Sequence, residues 1–190
     1  MPTAGSLTDD LSGRALVVGV LDGRALESSA LCRQAERFVA EGADILELTG
    51  GTIDHIRAVR AGVAVPLAVA DVATAHATGA ILVAQSRDGA GAAAHAGIAP
   101  NKIVLDLTPS LRPLAADLSL GYPLLASTAT MTCPSGADGR AYVLAAAAVA
   151  ISSGCGLVRT ADIRGVGRVR DVLAAVLAAT GVPAATGPPR

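Results

Sequence analysis

An α/β barrel is the fold that this sequence predicts, and three observations predict it. Short β-branched runs alternate with Ala-rich helical segments, giving seven β/α units along 190 residues. Each run is apolar almost throughout, the pattern of a parallel sheet covered by helices rather than of a half-solvated one. Aromatic residues make up only 2% of a chain that is 52% hydrophobic, so the core must be assembled from many small contacts. A complete (β/α)₈ barrel takes about 200–250 residues. The expected architecture is therefore a TIM (β/α)₈-like barrel lacking one β/α unit. A doubly wound open sheet is the structural alternative.

The elements follow in order. The first strand is 16–21 (LVVGVL). A helix over 28–41 carries Leu31, Ala35, Phe38 and Val39 at helical spacing, and Gly42 stands where a C-terminal glycine belongs. Strand two is 44–48 (DILEL), followed by a helix near 54–61. Strand three (66–70), a short helix (72–77), strand four (80–84) and an Ala-rich helix (89–96) come next. Strand five is 103–107 (IVLDL), with a helix near 111–118 and a sixth strand from 123 to 126. A polar loop, 127–139, leads into a long helix over 140–153, a last strand over 156–159 and a closing helix over 169–179. The organisation is one domain over 1–180 and a Pro/Gly-rich tail over 181–190 expected to fray.

Charge and composition exclude several classes. A net charge of −1 leaves no basic footprint for nucleic acid or an anionic membrane surface. Lys102 is the only lysine, and the arginines are scattered. The apolar run 142–151 is far shorter than the roughly 20 residues of a spanning helix. Residues 1–10 are polar, so no secretory leader is expected. Cys32, Cys133 and Cys155 are widely separated, which suits small buried thiols in a reducing cytoplasm better than a zinc site. No GxGxxG or GxxxxGK[ST] loop follows a strand, so nucleotide binding by those devices is not expected.

Three segments resemble the dihydropteroate synthase family. VGVLD (18–22) with AERFVAEGADILELTGG (35–51) is similar to its opening strand, first helix and second strand. AGIAPNKIVLDL (96–107) is the most specific and resembles a stretch ending in a strand with an aspartate. LAAAAVAISSGCGLVRTADI (144–163) resembles its last helix and strand. The resemblance implies a (β/α)₈ barrel that joins a dihydropterin pyrophosphate to p-aminobenzoate with Mg²⁺. It implies pterin binding by Asp106 and phosphate binding by Arg159, with the hydroxyls of Ser127 and Thr128 able to donate to phosphate oxygens. Asp22 stands at the family's metal- and phosphate-binding asparagine, so Mg²⁺ is the possible cofactor there.

The departures are extensive. GRALESS (23–29) replaces the family's Thr-Pro-Asp-Ser-Phe loop, and GTIDHIR (51–57) replaces Gly-Glu-Ser-Thr-Arg-Pro. The third-strand aspartate aligns with Ala70, one place before Asp71, and the fourth-strand asparagine with Ala84. STATMT (127–132) stands for Ser-Arg-Lys, and no lysine follows Lys102. The last-strand histidine aligns with Ala161, and a helix and strand are missing between 84 and 102. Most of the catalytic equipment is absent, so enzyme activity is left open.

Each candidate also has a plain structural reading. Asp106 serves equally as a strand-end helix cap. Arg159 serves as an ion-pair partner of Asp162 or Asp106, and Asp22 as a solvated loop carboxylate. Asp54 and His55 are adjacent on a helix and cannot face each other. His76 and His95 fall in Ala-rich helices as surface residues. Three functions follow: a synthase-like protein without normal synthase activity that keeps a weak pterin or phosphate site; a structural or regulatory partner, as a homodimer or with a complete paralogue, covering an open edge; or a pterin-dependent methyltransferase-like enzyme.

Overall fold

The computed structural model describes residues 14–108, 110–111, 113, 115–128, 133 and 138–180. The tail over 181–190 lies outside them. Seven strands, β1 (Leu16–Asp22), β2 (Ile45–Thr49), β3 (Leu67–Val69), β4 (Ile81–Ala84), β5 (Ile103–Asp106), β6 (Leu124–Ser127) and β7 (Leu157–Thr160), run parallel in sequence order. β7 pairs back onto β1, with Leu16 opposite Leu157 and Val18 opposite Arg159, and the sheet closes into a barrel. The open-sheet alternative is thereby set aside. So is the unpaired edge expected of a chain one unit short.

Strand side chains alternate between two apolar layers, as the two-residue period requires. Leu16, Val18, Ile45, Ala68, Ile81, Val83, Val104, Leu125 and Leu157 fill the lumen. Their neighbours Val17, Leu46, Leu67, Leu82, Ala126 and Val158 face the helices. Burying one such Val, Leu or Ile side chain contributes about 1.5–3 kcal/mol. Gly19 faces outward, and a Cβ there would come within 2.9 Å of the Phe38 ring. The lone phenylalanine packs on β1 because that position has no side chain.

Among the described residues seven α-helices lie outside the ring: α1 (Ser28–Ala40), α2 (Ile53–Gly62), α3 (Val72–Thr78), α4 (Arg87–His95), α5 (Ala115–Leu118), α6 (Gly139–Ser152) and α7 (Ile163–Thr180). Leu31, Ala35 and Phe38 are the buried face of α1, and Gly42 adopts φ +99° just past its end. Side-chain caps start four of the others: Thr52 for α2, Asp71 for α3, Ser86 for α4 and Asp138 for α6. Each accepts from a backbone N–H that has no partner within its own helix.

The closing helix corrects the sequence expectation. It starts at Ile163, six residues before the expected 169. The Asp162 carboxylate accepts from the Gly165 N–H at 2.9 Å and starts the helix there. Gly165 and Gly167 weaken the helical signal locally, which disguised that first turn. At the opposite end of the barrel, the buried Arg170 of α7 reaches Asp44, just before β2, at 2.6 Å. Asp44 also accepts from the Val17 N–H and the Arg14 guanidinium, both at 2.9 Å.

Candidate functional site

The site grows from strand parity. Ile45 on β2, Val104 on β5, Leu125 on β6 and Leu157 on β7 face the lumen. Two residues further along each strand, toward its carboxyl end, stand Glu47, Asp106, Ser127 and Arg159, so these four share the inward side. In a parallel barrel that end is where functional side chains collect.

Arg159 lies at the centre of the group. Its Nε donates to Glu47 Oε2 at 2.7 Å and its Nη2 to Glu47 Oε1 at 2.9 Å. Its Nη1 donates to Asp106 Oδ2 at 2.8 Å. Side-chain exposure is 12% for Arg159, 3% for Glu47 and 2% for Asp106, so water screens the three weakly. Two carboxylates against one guanidinium leave a formal charge of −1. Burial pushes the Glu47 carboxyl above its ordinary range against the pull of Arg159, and the nearby Asp106 charge adds to the rise.

Asp106 is further held by the Thr108 N–H on Oδ1 at 2.9 Å, and Gln85 Nε2 approaches Oδ2 at 3.5 Å. Ser127 is 3% exposed, and its hydroxyl has no hydrogen-bond partner among the described residues. Thr128 is also buried, but its Oγ1 donates to the Arg159 carbonyl oxygen at 3.1 Å and helps tie β6 to β7. A cavity of about 330 Å³ opens beside Asp106, walled by Ser86, Arg87, Leu107, Ser110 and Asp117. Across it Arg87 Nε donates to Asp117 Oδ1 at 2.7 Å.

The other candidates lie elsewhere. Asp22 is exposed at the tip of β1, where its Oδ1 accepts from the Arg24 N–H. Asp162 pairs with Arg140 at 2.9 Å, not with Arg159. Asp71 caps α3, Asp54 pairs with Arg57 at 3.1 Å, and His55 completes the capping box of α2 with Thr52. His76 and His95 are exposed. Residues 129–132 of the STATMT loop lie outside the described residues.

Glu47 is the member that sequence reasoning missed. It sits inside the run DILEL, which reads as a continuous apolar strand. A signal was there: a glutamate two residues after an inward isoleucine must enter the lumen, and a carboxylate is almost never fully buried unless paired.

This arrangement stands beside known structures of one kind. The dihydropteroate synthase of Burkholderia cenocepacia, complexed with 7,8-dihydropteroate, is 22% identical at a TM-score of 0.68, over 88% of this chain and 93% of that one. The Yersinia pestis enzyme, with a pterine-sulfa conjugate, is 19% identical at 0.65, over 89% and 96%. The Coxiella burnetii enzyme, in complex with pteroic acid, is 15% identical at 0.64, over 89% and 94%. The chain has the dihydropteroate synthase fold. At these identities the likeness to the synthases is one of fold. No protein-family model and no curated protein matches.

Mg²⁺ is the metal that the resemblance implies, and Asp22 is its candidate ligand among the described residues, its Oδ1 already accepting from the Arg24 N–H. Asp22 offers one exposed carboxylate at its strand tip. Among the described residues no three His, Cys, Asp or Glu side chains are grouped to hold a metal ion. No helix among the described residues is long and apolar enough to cross a membrane.

Proposed function

We propose that this chain is a dihydropteroate synthase-like protein that does not perform the synthase condensation and keeps, at Asp106, a place for a small pterin-like heterocycle. The observation that carries the reading is the double clamp on Arg159. Condensation would expel pyrophosphate, and its departure needs positive donors aimed at the developing charge. Here the guanidinium already faces two buried carboxylates through three of its donors. Its field is cancelled where a phosphate would need it. Removing one such donor costs about 3–4 kcal/mol of transition-state stabilisation, and the family's lysine and last-strand histidine are absent as well.

The pterin half of the expected site has more support than the phosphate half. Asp106 is a buried acceptor beside a cavity, suited to ring N–H and amino donors. Thr128 directs its hydroxyl at the Arg159 carbonyl. Association with a second copy or a paralogue loses one of its reasons, because the closed ring has no strand edge to cover. The test is an assay with dihydropterin pyrophosphate, p-aminobenzoate and Mg²⁺. The expected result is turnover at least about 1,000-fold below a normal synthase, in line with one lost charge donor or more. Dihydropteroate formed at a normal rate overturns the proposal.

A further inference from the structure

Glycines bring two loops of the barrel rim into backbone contact. The βα loops at the carboxyl ends of barrel strands are ordinarily among the most mobile parts of the fold. Here the loop after β1 and the loop after β2 are joined. The Gly23 N–H donates to the Thr49 carbonyl oxygen at 2.9 Å, and the Thr49 hydroxyl donates to the Leu21 carbonyl oxygen at 3.2 Å. A Cβ on Gly23 would stand 2.6 Å from Gly51 Cα, so the two loops meet where neither carries a side chain. Leu48, which is buried, lies against both glycines: a Cβ on Gly51 would come 2.7 Å from its Cγ, and one on Gly23 would come 3.3 Å from its Cδ1.

Arg24 lies over this joint. Its backbone N–H donates to the Asp22 carboxylate at 2.9 Å, and its side chain reaches from the first loop to the second. Gly50 adopts φ +63°, and a Cβ there would fall 2.8 Å from Arg24 Cδ and closer still to Cγ and Nε. An arginine stem covers surface in its own right, apart from the charge it carries. We propose that these two loops form one mechanical unit strapped by the Arg24 stem, so that loosening or ordering either loop does the same to the other. A ligand that meets either loop then finds both in place, and little of its binding goes into ordering them. This coupling goes beyond the functional reading and needs no bound ligand, so neither stands or falls with the other.

The experiment is hydrogen–deuterium exchange on the full chain, followed in peptides over 22–27 and 50–53, with the α3 cap over 71–74 as an internal reference. Arg24→Ala removes only an exposed side chain of the first loop. It is expected to speed exchange in both loops about 10-fold, as local opening does, and to leave the reference unchanged. Arg24→Met keeps the stem without the charge and should return both loops to wild-type exchange. Gly23→Ala forces the two backbones apart and should loosen both loops as well. Adding Arg24→Ala to it should bring little more, because the two changes act on one joint. Wild-type exchange over 50–53 in R24A overturns the proposal, and so does an R24M variant as loose as R24A. Should Gly23→Ala prevent folding, the two Arg24 variants decide alone, since neither alters the backbone.

Discussion

Arg159, a single side chain, decides what the barrel mouth can do. Its cost and its function both come from being buried between two acids. Removing one partner of such a group leaves a charge without compensation, a loss of about 3–5 kcal/mol. Glu47→Ala should show that loss as a lower urea midpoint with an unchanged slope. Replacing all three residues together by Leu, Leu and Met should be neutral or stabilising by about 1–4 kcal/mol, because the desolvation penalty disappears with the charges. A triple variant as unstable as E47A would mean that the ion group itself holds the fold. Asp106 and Arg159 were singled out in the sequence by the family resemblance, at the carboxyl-terminal halves of their strands, where barrel chemistry collects. Glu47 was not, because a glutamate in mid-strand announces its face only through the parity of its neighbours. Ser127 was legible as a polar position, but its lack of a partner is a property of three-dimensional packing.

The helices depend on their first turns. Hydrogen bonds from the Thr74 side chain and backbone hold the Asp71 carboxyl below its usual range at the start of α3. Asp162 at the start of α7 is also lowered: burial works to raise it, but the Gly165 N–H and the guanidinium groups of Arg140 and Arg168 outweigh burial. A carboxyl with a depressed folded pKa stabilises the fold above its unfolded value, about 3.9 for Asp. That contribution is lost as pH falls through the lower folded value. Thermal melts should therefore drop on acidification below about pH 4. In Asp71→Asn and Asp162→Asn the drop should be smaller, since the amide still accepts and does not titrate. Equal acid sensitivity in wild type and both variants would exclude these caps as its source. The elements themselves were readable from periodicity and from residues such as Gly42. The start of α7 was not, because Gly165 and Gly167 resemble a loop until Asp162 is seen to cap them.

Taken as a whole, the barrel divides its labour between its ends. Arg170, Asp44 and Arg14 tie the last helix to the amino-terminal ends of the strands, far from Asp106 along each strand. Asp44→Ala removes one of two carboxylates on the buried Arg170, which keeps Asp171 at 2.8 Å, and should cost about 1–3 kcal/mol while leaving ligand titrations at the mouth unchanged. A change in binding greater than about 3-fold would show that the two ends are coupled. Closure was the part of the fold least visible in the sequence. It depends on one non-local pairing between the first and last strands, for which no local pattern exists.

A hoop of seven staves has a narrower bore than one of eight, because barrel diameter grows with strand number. Arg159 crosses that bore from β7 to meet β2 and β5, three staves spread around the rim. It acts as a spoke across the hoop. The cavity beside Asp106 lies to one side of that spoke, with the Arg87–Asp117 pair spanning it.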